Sequence, residues 1–431
     1  MSIFRLLFVG ILTLIGVIGS FHGPFNTLLF YLWIAYFRPD YWVENNILLS
    51  IRISLVVGIS LLLSVLISGV KLRFTPFTGL LSLVLVHVFI SSLLSDYSPS
   101  VVDFLKTLVV SYLITMLIKS EKDLKIVLIV IVLSLGFFDG AKQGWQFLIL
   151  HPGSKNFNEL PSLGDNNFVA VAMLMLVPVF IALSQTAERK IIKYTYIFLV
   201  IGVIYRALST YSRGGFLTLL VICVIYWLRS RKKVRSLLIA VLLATLILPT
   251  FPQSFWDRMN TLTDSKEEQD ASVQGRLYFW GIAWELAKKN PVFGVGHNCF
   301  GQAYLNFDTS HTSERSVHSA WFAVLSERGF IGLILFVTIY LYCLSSCARV
   351  RKKCRGRPEL KSILIYSNSI EMSLIAAAVG ITFLSFHNQE ILWHYFALAT
   401  VPNQILKDID ASEAGQSVNV INDVSNPISA I

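Results

Sequence analysis

Charged residues are scarce in this chain, and no long stretch of it has the composition of a globular domain. Only 14% of its 431 residues are charged and 55% are hydrophobic, whereas a soluble domain carries about 25% charge. This composition excludes a soluble enzyme, a disordered protein and a globular domain on a single-pass anchor. Cysteine is also rare. The five cysteines give neither an even disulfide set nor a zinc-ligand spacing, which argues against a secreted disulfide scaffold.

What the chain has instead is a series of unbroken apolar segments between residues 3 and 406. A transmembrane helix needs about 20 apolar residues, so these segments predict an all-α polytopic membrane protein with about 12 transmembrane helices. We divide the chain into an N-terminal helix bundle at 1–250, a long outer loop with an amphipathic helix at 251–320, C-terminal transmembrane helices at 321–406 and a disordered cytoplasmic tail at 407–431.

The net charge of +10 resides in short loops between the apolar segments. Lysine and arginine favour the cytoplasmic side of a membrane, so we place the basic loops 229–235 and 349–361 there and the loop 251–320 on the outer face. Segment 24–37 puts the N-terminus outside if it is a full span and inside if it is a re-entrant half-helix. The basic residues are not interleaved with aromatic ones, so we expect no nucleic-acid partner.

The outer loop contains a candidate anion site on its predicted helix. Arg276, Trp280 and Trp284 recur every four residues after a helix start near Ser272, and therefore share one face,. In the first turn of a helix, free backbone N–H groups and the helix dipole favour an anion, and a guanidinium binds phosphate through paired hydrogen bonds. The alternative is that Arg276 forms a surface ion pair with Asp270 or another carboxylate.

Two further arginines lie around the outer end of an apolar segment. Arg213 lies in Ser212-Arg213-Gly214-Gly215 between two spans, and Arg206 lies inside the preceding span. An arginine within a span is costly and is a functional candidate by default. The alternative for Arg213 is that its side chain extends to the lipid headgroups.

His318 is the candidate general base. It lies where the outer loop re-enters the membrane, shortly before Glu327, and a histidine accepts a proton near neutral pH. The alternative is a hydrogen-bonding residue of a helix interface. The spacings of His297, His311 and His318 fit no zinc pattern, so we predict no metal site.

Two polar outer segments are weaker candidates. Asp165 and Asn167 precede a long apolar segment, where they either line a site or cap the helix,. His387 and Glu390 join the last two apolar segments, where they either line the same cavity or form a polar turn.

The order of these elements resembles the O-antigen ligase and O-antigen polymerase superfamily of bacterial envelope glycan enzymes. The similar elements are Ser212-Arg213-Gly214-Gly215, Arg276 with Trp280, Pro291 with Gly294 and Gly296, and His318 before Glu327-Arg328-Gly329-Phe330-Ile331-Gly332. The N-terminal third, with Phe37-Arg38-Pro39-Asp40-Tyr41-Trp42, looks more like the exosortase-associated branch, described as probable O-glycosylation ligases.

The resemblance implies a GT-C-like, metal-independent glycosyltransferase of the bacterial inner membrane, without a cofactor and active on the periplasmic face. Its donor would be a glycan on undecaprenyl diphosphate. Arg213 and Arg276 would bind the diphosphate, and His318 would activate the acceptor hydroxyl. The other residues that we expect at the substrate site are Arg206, Asp165, Asn167, Trp280, Glu327, His387 and Glu390.

The acceptor is not encoded in any motif of the sequence. We expect a ligase, which transfers the glycan to a lipid A core-like lipid or to a protein hydroxyl. We also expect the protein to contact membrane lipids. The close alternative is an O-antigen or exopolysaccharide polymerase, which extends the glycan on its own carrier. A lipid-linked oligosaccharide flippase is an alternative of another class, but transporters often show internal repeats and mid-membrane charges, whereas the polar residues here cluster on one side.

Overall fold

The computed structural model describes residues 3–42, 53–71, 73–156, 160, 163–260, 271–309 and 313–425. In those ranges the regular structure is helical, apart from one isolated β-bridge between Leu160 and Gly164. Seven helices among the described residues are long and apolar enough to cross a bilayer. The fold class of an all-α membrane protein is therefore confirmed, while the total of about 12 spans stays a prediction.

We number the α-helices in chain order. The N-terminal helices are α1 Ile3–Ser20, α2 Pro24–Phe37, α3 Pro39–Trp42, α4 Ile53–Ile67, α5 Pro76–Leu93, α6 Val102–Leu117, α7 Glu121–Gly136 and α8 Gln143–Leu150, with a π-helical turn, Phe137–Lys142, joining the last two. The central helices are α9 Asn166–Gln185, α10 Lys190–Leu208, α11 Arg213–Arg229 and α12 Lys233–Ile247, the last extended by a 3₁₀ turn at Leu248–Thr250.

The outer segment and the C-terminal part follow. Their helices are α13 Gln253–Asn260, α14 Ala271–Lys289, α15 Phe300–Phe307, α16 Ala320–Lys353, α17 Lys361–Ile381 and α18 Glu390–Ser425. Short 3₁₀ turns at Pro358–Leu360 and Phe386–Asn388 precede α17 and α18.

The first two helices form an antiparallel hairpin. Phe8 packs edge-on against Phe37 with ring centroids 6.4 Å apart, and Gly16 lies against Phe30. The start of α1 therefore lies at the same end of the molecule as the end of α2. Helix α2 has 14 residues, so whether it is a full span or a re-entrant half-helix stays open.

Ion pairs join the basic loops at one end of the bundle. Arg73 pairs with Asp408, while Lys353 Nζ and Arg357 Nη1 each lie 2.8 Å from a carboxylate oxygen of Asp410. The segment predicted as a disordered tail begins within α18, which continues as a helix to Ser425. Its carboxylates bind cations of the neighbouring loops, which orders a segment that has no apolar period of its own.

The central helix α9 is apolar on all sides and buried along nearly its whole length, as expected of a helix surrounded by others. Helix α17 packs along it: the Ser373 hydroxyl donates to the Met175 carbonyl at 2.6 Å, and Val171 closely contacts Gly380. This packing places the N-terminus of α9 at the same end of the bundle as the C-terminus of α17.

The loop after α14 bonds to a kink in α16. Helix α14 ends directly before Asn290-Pro291, as the sequence predicts. The Val295 N–H donates to the Ser326 carbonyl at 2.9 Å, and the Gly296 N–H donates to the Glu327 carbonyl at 3.0 Å. These hydrogen bonds hold the loop after α14 against α16 at Ser326 and Glu327.

Candidate functional site

His318 lies in the segment that leads from the outer loop into α16. Its φ of 53° is a left-handed conformation, which is uncommon for a residue other than glycine and concentrates at functional sites. Its N–H lies 3.4 Å from the Ser316 hydroxyl, which in turn is 2.9 Å from the Ser385 hydroxyl. The segment is thereby tied to the connection between α17 and α18.

Three charged side chains act on the half-buried His318 imidazole: Arg276 of α14, Asp165 before α9, and Arg315 in the same segment. We call these four residues the His318 cluster. Burial, and then Arg276, lower the pKa of His318 below its usual 6.5, and Asp165 opposes the shift. The imidazole is therefore neutral at neutral pH and can accept a proton. The predicted base and one predicted diphosphate ligand thus lie within electrostatic reach of each other.

Arg213 is the first residue of α11. Ser212 caps this helix by accepting a hydrogen bond from the Gly215 N–H at 3.2 Å. Arg213 is 4% exposed, so protein surrounds it and it does not extend to lipid headgroups. Gly215 packs tightly against Ala170 in the first turns of α9, the helix that begins beside Asp165.

The turn after α17 contacts the neighbours of Arg213 and of His318 in the sequence. On one side, Phe383 packs against Gly214. On the other side, Trp321 Nε1 donates to the Thr382 hydroxyl at 3.1 Å. The segments that carry Arg213 and His318 therefore meet the same turn, at one end of the bundle.

Asp165 and Trp280 have structural contacts in addition to their position near the cluster. Asp165 Oδ1 accepts from the Asn167 backbone N–H at 2.6 Å and from its side-chain amide at 2.7 Å, so the pair caps α9. Trp280 stacks on Phe322 with ring centroids 5.1 Å apart. The indole thus packs α14 against α16 and holds the helix that carries Arg276.

Arg206 makes contacts elsewhere in the fold. It is fully buried, and its Nε donates to the Asp139 carbonyl at 3.2 Å, in the π-helical turn. The Asp139 carboxylate in turn accepts from Gln143 at 3.2 Å. The contacts of Arg206 thus join α10 to the π-helical turn, whereas those around Arg213 join α11 to α9.

Glu327 of α16 and His387, which lies in the connection between α17 and α18, form a buried pair. His387 Nε2 lies 3.1 Å from Glu327 Oε2, and the same oxygen accepts from the Asn298 backbone N–H at 3.0 Å. The structure therefore brings these two predicted residues together, next to the kink in α16.

Arg328 extends this buried network. Its Nη2 lies 2.7 Å from Asn388 Oδ1 and 3.0 Å from His297 Nδ1, and its guanidinium lies 4.5 Å from the centre of the Phe104 ring. Burial, and then Arg328, lower the pKa of His297 to about 3. His297 is therefore neutral and accepts the hydrogen bond, while the aromatic ring provides a cation–π contact.

A cavity of about 680 Å³ lies beside this network, between α2, α4 and α6. Its polar end carries side chains of both charge signs together with amides, namely Arg38, Asp103, Lys106, Asn298, Asn388 and Glu390. Among the described residues, those that line it include Glu390 but not His318. The predicted site residues thus do not form one site. His318, Arg276 and Asp165 belong to the His318 cluster, while Glu327, His387 and Glu390 belong to this cavity and its neighbouring network. Arg206 and Arg213 belong to neither group.

The motif pattern does not contain Asp139 and does not predict the buried roles of Arg328 and His297. Arg328 and Asp139 are charged residues within apolar spans, which is a usable signal. His297 gives no such signal, since its partner Arg328 is 31 positions away in sequence. His311 and Asp270, which were considered as a metal ligand and as a partner of Arg276, lie outside the described residues.

Comparison with known families classifies the central part of the chain. Residues 196–337 match the family model described as O-antigen ligase. This third of the chain is similar to O-antigen ligases. Residues 3–142 match a family of unknown function (DUF5935), so the exosortase-associated branch stays a prediction. No curated protein matches the chain.

The O-antigen ligase domain includes the three predicted catalytic residues. It also spans three of the predicted substrate-binding residues, and the full set is Arg206, Arg213, Arg276, Trp280, His318 and Glu327. The others, Asp165, Asn167, His387 and Glu390, lie outside the matched range. The family indicates a membrane glycan ligase or polymerase, which is a glycosyltransferase-like enzyme.

Proposed function

We propose that this protein is a glycan ligase that transfers a glycan from undecaprenyl diphosphate to an acceptor hydroxyl on the periplasmic face of the bacterial inner membrane. The observation that carries the proposal is that His318 and Arg276 both lie in the segment that matches the O-antigen ligase family and are close enough for the guanidinium to act on the imidazole. Burial, and then Arg276, lower the pKa of the imidazole and favour its neutral form. A neutral base beside a fixed cation suits a reaction in which a hydroxyl loses a proton and a diphosphate leaves.

In the proposed reaction, the acceptor hydroxyl gives its proton to the His318 imidazole. The acceptor oxygen bonds to the anomeric carbon of the glycan, and the bond from that carbon to the phosphate oxygen breaks. The lipid diphosphate leaves with the bonding electrons, and its negative charge is stabilised by Arg276 and Arg213. The two arginines supply positive charge in place of a metal ion, so we propose a metal-independent reaction.

Placement of the two substrates is the other part of the proposed catalysis. We propose that Asp165, Asn167 and Trp280 position the donor beside the cluster. We assign Glu327, His387 and Glu390 to the acceptor side, because their contacts lead to the cavity. Arg206 holds the helix before Arg213 through its bond to the Asp139 carbonyl.

A transfer assay with the purified protein in lipid vesicles tests this assignment. With a lipid-diphosphate-linked glycan as donor, we expect His318→Asn to lower the rate by about 10²–10⁴-fold and Arg276→Gln to lower it comparably. Lys288→Gln is the matched control, since Lys288 is a cation of the same helix that pairs with Glu285 on the surface. Full transfer by the first two variants at normal protein levels would contradict the proposed roles.

Product analysis in the same assay separates the alternatives. Glycan on a new lipid or protein acceptor supports the ligase, and longer glycan still on the diphosphate carrier indicates a polymerase. Movement of a fluorescent carrier lipid across the vesicle without glycosyl transfer would indicate a flippase.

A further inference from the structure

A buried carboxylate holds two arginines at the end of the bundle opposite the His318 cluster. Glu371 of α17 has a side chain only 6% exposed, and its Oε2 accepts from Arg229 Nη1 at 2.7 Å and from Arg351. The arginines come from the ends of α11 and α16. A charge inside a span needs partners, and Glu371 has two.

The two guanidinium groups are not neutralised by this single carboxylate. Two positive charges face one negative charge, which leaves a surplus of one positive charge. The side chains of Arg229 and Arg351 remain 40% and 37% exposed. Each guanidinium carries five N–H donors, so both can bind a further oxygen anion from the outer side of the triad.

A groove of about 720 Å³ adjoins the two arginines. Its walls are formed by α9, α11, α17 and the start of α12, and they are largely apolar, with Pro178, Ile181, Tyr226 and Met372 among the lining residues. Polar groups are present beside the arginines, at Ser230 and Asn368. The groove therefore combines a cationic rim with an apolar wall that continues into the membrane span.

We propose that this groove binds one anionic glycerophospholipid, with its phosphate on Arg229 and Arg351 and an acyl chain along the apolar wall. The positive-inside rule assigns this end to the cytoplasm, where the membrane surface carries anionic lipids. Arginine forks bind phosphate oxygens in pairs, and the apolar wall favours a lipid over a soluble phosphate compound.

The experiment measures the lipid retained by the full chain, by native mass spectrometry from vesicles of phosphatidylglycerol mixed with phosphatidylethanolamine. The test variant is Arg229→Gln/Arg351→Gln/Glu371→Gln, which leaves no unpaired charge in the span. Since each basic residue near the surface contributes about 1 kcal/mol, we expect phosphatidylglycerol binding to weaken by roughly 30-fold. The control Arg231→Gln removes an exposed arginine of the same loop, and we expect it to retain the lipid.

A second variant distinguishes a lipid site from a purely structural ion triad. Glu371→Gln removes the anion that competes for the arginines, so we expect it to bind phosphatidylglycerol more tightly than the unmodified protein. A structural triad would give no such gain. Equal retention by all variants would overturn the proposal, and so would displacement of the lipid by inorganic phosphate at millimolar concentration, because the groove would then recognise the phosphate alone.

Discussion

At the scale of single residues, the outer end is set apart by its backbone as well as by its charges. The non-glycine residues with positive φ in the described part of the chain are Arg38, Tyr211, Asn298 and His318. Arg38 and Asn298 line the cavity, His318 belongs to its cluster, and Tyr211 lies two positions before Arg213. Such conformations cost on the order of 1–3 kcal/mol each, so their concentration on one face favours that face as the functional one.

The pH dependence of transfer tests the charges around His318. Because burial and Arg276 lower its pKa below 6.5, the imidazole stays neutral down to that lowered pKa, and activity is lost only as the pH falls through it. We therefore expect the acid limb of the rate profile below pH 6.5. The measurement is the transfer rate from pH 4.5 to 8 in vesicles.

Neighbouring substitutions give this prediction its controls. Removing the cation in Arg276→Gln raises the pKa of His318, so the acid limb of the residual activity should move to higher pH. Arg315→Gln should move it in the same direction by less, and Asp165→Asn in the opposite direction, following the order and sign of their effects. An acid limb that none of these substitutions moves would show that another group titrates.

At the scale of elements, the kink in α16 connects the outer segment to the bundle. Gly329 has φ 67° and ψ −173°, and a Cβ there would lie 2.6 Å from the Pro291 carbonyl oxygen. Gly294 faces it across the same contact, since its own Cβ would lie 2.3 Å from the Glu327 carbonyl carbon. Two close backbone contacts thus fix the position of Glu327 and Arg328, whose side chains bond to His387 and His297.

Substitution Gly329→Ala tests the kink. We expect destabilisation by at least about 1–3 kcal/mol from the backbone conformation alone, with a lower melting temperature and loss of transfer, since the Glu327 contacts move with the kink. Gly281→Ala in α14 is the matched control, because its Cβ would meet nothing within 4 Å and alanine favours a helix by about 0.5–1 kcal/mol over glycine. Equal melting temperatures for the two variants would contradict this account.

Local signals predict elements well but not their distortions. The end of α14 follows from Asn290-Pro291, and the cap of α9 by Asp165 follows from its position before an apolar run. The kink at Gly329 separates two helical parts of α16 directly after Glu327-Arg328, and a single glycine in the sequence does not by itself predict such a break. It depends on a loop more than 30 positions away, which no periodicity reveals.

At the scale of the whole molecule, the sequence predicts which end each loop occupies, but not which distant residues meet there. The positive-inside rule groups the basic loops, and the ion pairs of Arg73, Lys353 and Arg357 with α18 join them at one end. By contrast, the bonds from Arg328 to His297 and Asn388 join three separate segments. Their packing depends on the tertiary fold, since each residue alone is compatible with several partners.

The orientation of the first hairpin is the remaining topological choice, and one accessibility experiment decides it. In the structure the turn at 21–23 lies at the end opposite Arg38, because α1 and α2 run antiparallel. In a cysteine-free background, we therefore expect His22→Cys to be protected from a membrane-impermeant thiol reagent in intact cells and labelled after permeabilisation. Arg355→Cys, on the basic end, should behave in the same way, and Ser154→Cys, on the outer end, should be labelled in intact cells.

Two other labelling patterns would contradict this topology. Labelling of both His22→Cys and Ser154→Cys in intact cells would show that α2 is a re-entrant half-helix. The reverse labelling pattern for Arg355→Cys and Ser154→Cys would show that the protein has the opposite orientation in the membrane, with the His318 cluster on the cytoplasmic side.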